Sequence, residues 1–176
     1  MKTKADFRRY IRQEKKKYTQ EELSVRSESV WVKVEALPEF RQAHIVALYW
    51  SLPDEVHSHA FVEKWCREKR ILLPVMCDGH DLELREYSPG CRMNEAEFCV
   101  GEPEGGPVDQ QCVGLILVPG LAFDRKNHRL GRGKGYYDRL LSRMHAVKVG
   151  VCFDFQLLDE IPVDSYDIAM DKVMAG

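Results

Sequence analysis

The sequence predicts a three-layer α/β/α fold around a mostly parallel central sheet, and three observations predict it. Continuous apolar runs at 45–50 and 113–118 read as strands buried on both faces, and 71–76 and 147–153 read as further strands. Segments with helical spacing of apolar residues lie before, between and after them. Proline and glycine punctuate the joins. Strands alternating with helices select this class, and in it ligands sit beyond the carboxyl ends of the strands. Those ends carry Ser51 to Glu55 and Pro119 to Asp138. The 176 residues suit a single domain spanning 1–176.

In order, residues 3 to 17 read as a helix with Phe7, Ile11 and Tyr18 on an apolar stripe. Lys4, Arg8, Arg12 and Lys15 fall at steps of four, four and three, so they share the opposite face. A solvated basic face is the plain reading of that pattern; contact with phosphates is the functional one. Thr19 reads as the N-cap of a second helix, with Glu21 and Glu22 in its first turn. Leu23, Val30, Val34 and Leu37 turn inward, and Pro38 ends it. Ile45 to Trp50 is a strand, Ser51 to Asp54 a turn, and about Glu55 to Lys69 a helix with Phe61, Val62, Trp65 and Cys66 inward. Ile71 to Met76 completes a βαβ unit, so the two strands are expected to be parallel. Leu82, Leu84 and Tyr87 suggest a short strand, and residues 88–111 a long loop of functional character. Val113 to Val118 is a strand, 119–133 a loop, and about Gly135 to Met144 a helix. Val147 to Phe153 and Ile168 to Met174 are the last strands.

Net charge is −2, which gives no global bias toward nucleic acid or membrane. The six cysteines include no C-x-x-C pair, which argues against a zinc ribbon and for reduced thiols in a cytoplasmic protein. The first residues lack the apolar core of a signal peptide. No run approaches the roughly 20 apolar residues that a membrane span needs.

Chemistry concentrates in Leu130-Gly131-Arg132-Gly133-Lys134-Gly135-Tyr136-Tyr137-Asp138. Glycines at this density let several backbone N–H groups turn toward one anion. Arg132 and Lys134 add fixed charge, and Asp138 can hold a metal or simply favour the first turn of its helix. This is not a Walker loop: His128 stands where its first glycine would be, and Gly135-Tyr136, without Ser or Thr, follows Lys134. Residues 125–139 hold six cations against one acid, a density that calls for anions nearby. Asp54 reads as a helix N-cap, while Glu55 at a strand's carboxyl end could accept the N–H groups of a heterocycle. Tyr136 and Tyr137 suit packing and ligand contact equally. The six histidines form no ligand or triad spacing. A nucleic-acid-binding module lacks a motif and a basic pI; a phosphotransferase acting on another small molecule is the other alternative.

Together these segments resemble the 5-formyltetrahydrofolate cyclo-ligase family. Pro119-Gly120-Leu121-Ala122-Phe123-Asp124 followed by Arg129 to Asp138 is similar to its signature, and Lys4-x-x-x-Arg8, Ser51-x-x-Asp54-Glu55 and Ile161-Pro162-Val163 with Asp167 and Asp171 match flanking segments. Asn127-His128 replaces a frequent glycine turn, and Asn tolerates the left-handed conformation. Trp50 stands where the family usually has a smaller residue. The resemblance implies an ATP- and Mg2+-dependent closure of 5-formyltetrahydrofolate to 5,10-methenyltetrahydrofolate. It implies that Lys4, Arg8 and the loop Arg129, Leu130, Gly131, Arg132, Gly133, Lys134, Gly135, Tyr136 and Tyr137 bind ATP. Arg8, Trp50, Glu55, Arg132, Gly133, Lys134, Gly135 and Tyr136 would meet the folate, and Asp138 and Asp171 would hold magnesium. Arg132 and Lys134 are the expected catalytic pair, because charge develops on the phosphoryl oxygens in transfer. No nucleophilic side chain is needed. A monomer with small-molecule substrates, and neither nucleic acid nor membrane as partner, is expected.

Overall fold

Two capping boxes start the chain's first two helices. Thr3 caps α1 (Lys4–Lys15) through a reciprocal pair with Asp6, and Thr19 caps α2 (Gln20–Ala36) through one with Glu22; each is worth about 1 kcal/mol. In this computed structural model the described residues are 3–77, 79, 81–90, 93–94, 98–99 and 107–176. Leu37 leaves α2 in extended conformation, and Pro38 then occupies the first position of a short α3 (Pro38–Gln42). Proline therefore ends one helix and starts another, since its missing N–H would have no partner in a first turn.

The strands are β1 (Ile45–Ala47), β2 (Arg70–Cys77), β3 (Asp81–Glu86), β4 (Met93–Asn94), β5 (Phe98–Cys99), β6 (Leu115–Pro119), β7 (Ala122–Asp124), β8 (Arg129–Leu130), β9 (Val147–Cys152), β10 (Leu157–Leu158) and β11 (Lys172–Ala175). Helix α4 (His59–Trp65) links β1 to β2, and α5 (Tyr136–Ser142) lies between β8 and β9. The main sheet has the order β11-β9-β6-β1-β2-β3 and is parallel except for β3, which pairs antiparallel with β2. Its side chains alternate between two cores. Val46, Ile71, Leu73, Leu115 and Leu117 pack with Val30 and Val34 of α2, Phe40 of α3 and Phe61 and Val62 of α4. Ala47, Leu72, Ile116 and Val118 pack on the other face with Leu140 and Leu141 of α5. The continuous apolar strands thus have helices on both sides, as their sequences require.

A second small sheet, β10-β7-β8, lies within what the sequence suggested was loop. Its hairpin turn is organised by Asp124, whose buried carboxylate accepts the N–H groups of Lys126, His128 and Ile161 and the ring Nδ1 of His128. Burial works to raise this carboxyl, and these bonds overcome it and hold it below its ordinary value. Asn127 adopts φ 65 at the turn, the left-handed conformation expected of it. Phe7 and Ile11 of α1 pack against Leu121, Ala122, Leu130 and Ile161 of this hairpin region. Burying each is worth about 1.5–3 kcal/mol, so α1 is fixed against the strand that leads into the glycine loop.

Three further boundaries differ from the sequence reading. β1 ends at Ala47, and α4 begins at His59 rather than near Glu55. A knot of hydrogen bonds holds the intervening segment: Ser51 and Ser58 each donate a backbone N–H to the other's hydroxyl, Ser58 Oγ donates to Tyr49 O, and Tyr49 Oη donates to Val56 O. Asp54 is therefore not a helix cap. The last strand starts at Lys172, because residues 164–170 make turn contacts near the second sheet, with the Met170 N–H on Asn127 O. The loop expected over 88–111 contains β4 and β5 and a 3-10 turn at Gln110–Cys112; its positions 91–92, 95–97 and 100–106 lie outside the described residues. Among the described residues, no helix is long and apolar enough to cross a membrane, and Cys66, Cys112 and Cys152 are free thiols.

Candidate active site

Chain order reverses at β1, which has β2 on one side and β6 on the other. A cavity of about 810 Å³ lies beyond the carboxyl ends of β1 and β6, at that switch point. Tyr49 and Trp50 follow β1 into it, Pro119 and Gly120 close β6 against it, and Met76 of β2 adds an apolar wall. The face of α1 bearing Lys4, Arg8 and Arg12 also lines it. That face is thus turned toward the cavity, not simply solvated.

β8 runs directly into Gly131, and the loop that follows curls along the cavity to the start of α5. Gly133 and Gly135 take φ values of 108 and 70, which L side chains rarely adopt. At Gly135 a Cβ would lie 2.9 Å from Arg139 Nη1. Arg8 Nε donates to Gly131 O at 2.9 Å and ties α1 to the loop.

Six cations and four carboxylates line the cavity, and their pairing is uneven. Lys4 bonds Asp164 at 2.7 Å and also Asp167. Burial works against its charge, and the two carboxylates outweigh this and raise its pKa. Arg129 is buried, with Nη2 on Asp138 Oδ2 at 3.1 Å, Nη1 on Pro119 O and its Nε without a partner. Arg132 bridges Asp54 Oδ1 at 2.6 Å and Glu55 Oε1 at 3.1 Å. Among the described residues, Arg8, Arg12 and Lys134 have no carboxylate partner. Lys134 lies over the Tyr136 ring at 5.7 Å. Like charges converging on one concave surface repel unless an anion joins them.

Aromatic rings also line the cavity: Tyr49, Trp50, Tyr136, Tyr137 and Tyr166. Trp50 stacks on His59 with centroids 3.9 Å apart and lies 6.0 Å from Tyr87. Tyr137 has its phenol held well above the ordinary value by burial and by the nearby Glu55 charge. Burial also raises the Glu55 carboxyl, with Arg132 opposing it. Asp54 is held below its ordinary value, because the charges of Lys15 and Arg132 overcome the effect of burial.

All the residues expected at the site line this cavity except Asp171. Asp138 faces it, and its Oδ1 accepts the Ile168 N–H at 3.3 Å. Asp171 stands apart, with Oδ2 accepting the Lys148 N–H at 2.7 Å, beside the start of β9. Among the described residues, no group of three or more metal-ligating side chains forms. Sequence reasoning missed Tyr49, Asp164, Tyr166 and Arg12 as wall residues, and Lys15 and Asp54 behind Arg132. The steps of four and three that placed Arg12 and Lys15 with Lys4 and Arg8 carried that signal; nothing local marked Asp164 or Tyr166.

Comparison with known proteins points the same way. The profile of the 5-formyltetrahydrofolate cyclo-ligase family matches residues 1–176. A 5-formyltetrahydrofolate cyclo-ligase of Haemophilus influenzae is 30% identical over 151 residues, covering 80% of this chain and 80% of that protein. A probable 5-formyltetrahydrofolate cyclo-ligase of Schizosaccharomyces pombe is 31% identical over 166 residues, covering 83% and 81%. The NMR structure of Aquifex aeolicus 5,10-methenyltetrahydrofolate synthetase superposes with a TM-score of 0.86 at 35% identity, over 98% of this chain and 89% of that one.

Proposed function

The chain belongs to the 5-formyltetrahydrofolate cyclo-ligase family, and from that premise we propose that its cavity holds ATP and 5-formyltetrahydrofolate together, end to end. The enzyme converts 5-formyltetrahydrofolate to 5,10-methenyltetrahydrofolate. The observation that carries the proposed arrangement is that one cavity is lined both by cations without carboxylate partners and by aromatic walls with Glu55. Arg8, Arg12 and Lys134, without carboxylate partners among the described residues, suit a polyphosphate; Trp50, Tyr49 and Glu55 suit a flat heterocycle with N–H donors.

In this reading Lys4, Arg8 and the segment Arg129 to Tyr137 bind ATP. Trp50 and Glu55 bind the folate ring, and Arg8 with Arg132 to Tyr136 meets the folate near the reacting groups. The formyl oxygen attacks the γ-phosphorus, an O–P bond forms, the bridging bond to the β-phosphate breaks and ADP leaves. The formyl carbon is now iminium-like, and N10 of the same molecule adds to it. N10 loses its proton and inorganic phosphate departs, which leaves the methenyl bridge. Lys134 and Arg132 stabilise the charge on the phosphoryl oxygens during transfer. The cavity walls hold N10 near the formyl carbon, so the second step is intramolecular.

Magnesium would neutralise phosphate charge. Asp138 fits the role of its ligand: it faces the cavity, and a single carboxylate with phosphate oxygens and waters is an ordinary magnesium environment. Asp171 does not line the cavity, and its Oδ2 accepts the Lys148 N–H, so we assign it the smaller part. One domain spanning 1–176, acting as a cytoplasmic monomer on small molecules without nucleic acid or membrane, completes the proposal. The test is growth of methenyltetrahydrofolate absorbance with purified protein, 5-formyltetrahydrofolate, ATP and magnesium. Absorbance should rise only when all are present, and a flat trace with folded protein at saturating substrate would overturn it.

A further inference from the structure

Lys15 is an outlier among the basic residues of α1. It does not line the cavity, and its side chain is 5% exposed. Its ammonium donates to Asp54 O and, at 3.0 Å, to Asp54 Oδ2. The other oxygen of that carboxylate, Oδ1, accepts Arg132 Nη2 at 2.6 Å from the cavity side. One carboxylate thus lies between a buried cation behind it and a half-exposed cation in front. Arg132 also reaches Glu55 Oε1 at 3.1 Å.

We propose that Lys15 is a positioning residue for phosphoryl transfer, neutralising Asp54 from behind so that Arg132 can leave it for the transferring phosphoryl group. The inference rests on the role given to Arg132 above. A half-buried carboxylate that loses its only cation is strongly destabilised. With Lys15 in place, Asp54 keeps a charged, hydrogen-bonded partner when Arg132 turns toward substrate. Without Lys15, Asp54 would hold Arg132 in the arrangement seen here. Burial of the ammonium lowers the Lys15 pKa, with Asp54 opposing the effect. That cost marks Lys15 as more than a solvated helix residue. A merely structural tie between α1 and the 51–58 segment would affect melting, not the turnover of folded enzyme.

The test is a set of variants in the full chain, with melting temperature, kcat and both KM values measured for each. Lys15→Met should lower kcat by about 10-fold while KM for ATP stays within about twofold, a coupling of the size found between contacting charges. Lys15→Arg should restore most of it. Lys15→Met combined with Asp54→Asn should turn over faster than Lys15→Met alone, because a neutral Asn no longer holds Arg132. If Lys15→Met does not fold, Asp54→Asn is compared with the double variant, which strands no buried charge; their kcat values should agree within about twofold. The proposal is overturned if folded Lys15→Met keeps normal kcat, if Asp54→Asn brings no relief, or if Asp54→Asn and the double variant differ widely. Arg132→Ala separates the two levels. If it costs little turnover, the role of Arg132 itself fails; if it collapses turnover and Lys15→Met does not, only the present inference fails.

Discussion

Lys134 has no carboxylate partner among the described residues and lies on the cavity wall over Tyr136. Its charge is available to a phosphoryl group in flight, and Lys134→Ala should lower kcat by about 100-fold or more, the usual loss on removing such a donor. Single-turnover kinetics would check this, and near-normal turnover would remove Lys134 from the chemistry. Glu55 gives a pH signature. Its carboxyl is raised by burial, against the pull of Arg132, so it takes up a proton at a pH above its ordinary value of 4.5. In the proposed arrangement the ionised form accepts the heterocycle N–H groups, so KM for the folate should rise as pH falls through that raised pKa. Glu55→Gln should flatten this limb, as steady-state KM profiles would show. Magnesium dependence should separate the two aspartates, with Asp138→Asn raising the magnesium needed for half-maximal rate more than Asp171→Asn does. The roles expected of Arg132, Lys134 and Glu55 could be read from charge and position in the chain. Lys15 could not, since its distinction is burial against a carboxylate 39 residues away in sequence.

The glycine loop works as an element because α1 and the β7–β8 hairpin hold its two sides. Gly135 starts α5 at φ 70 with Arg139 beside it. Gly135→Ala should destabilise the fold by about 1–2 kcal/mol, the cost of a left-handed conformation for an L residue. It should cost kcat as well, because Lys134 precedes the strained position; melting curves and turnover on the same preparation would test both. Both long helices were legible, α1 from its apolar stripe and basic face, α2 from the Thr19 cap with Glu21 and Glu22 and its inward apolar residues. The strands β1 and β6 were legible from continuous apolar runs. The hairpin was not, because β7 and β8 hold three and two residues and their pairing rests on the buried Asp124 carboxylate. Helix α4 was misplaced by four residues for a similar reason: the Ser51–Ser58 pair acts across a turn and leaves no periodic trace.

At the scale of the whole molecule, the parallel sheet brings segments from residue 4 to residue 167 to one cavity at the switch point between β1 and β6. That convergence makes α1, the 51–58 segment and the glycine loop one working unit despite their distance along the chain. The class of fold predicted this location, while the acidic wall of Asp164 and Asp167 on Lys4 needed the three-dimensional arrangement. Phosphorylation of the formyl oxygen by ATP in this cavity can be followed with 5-formyltetrahydrofolate carrying 18O in the formyl group, by mass analysis of the products. The label should appear in the released inorganic phosphate, one atom per methenyltetrahydrofolate formed. Label released to water, with unlabelled phosphate, would contradict it.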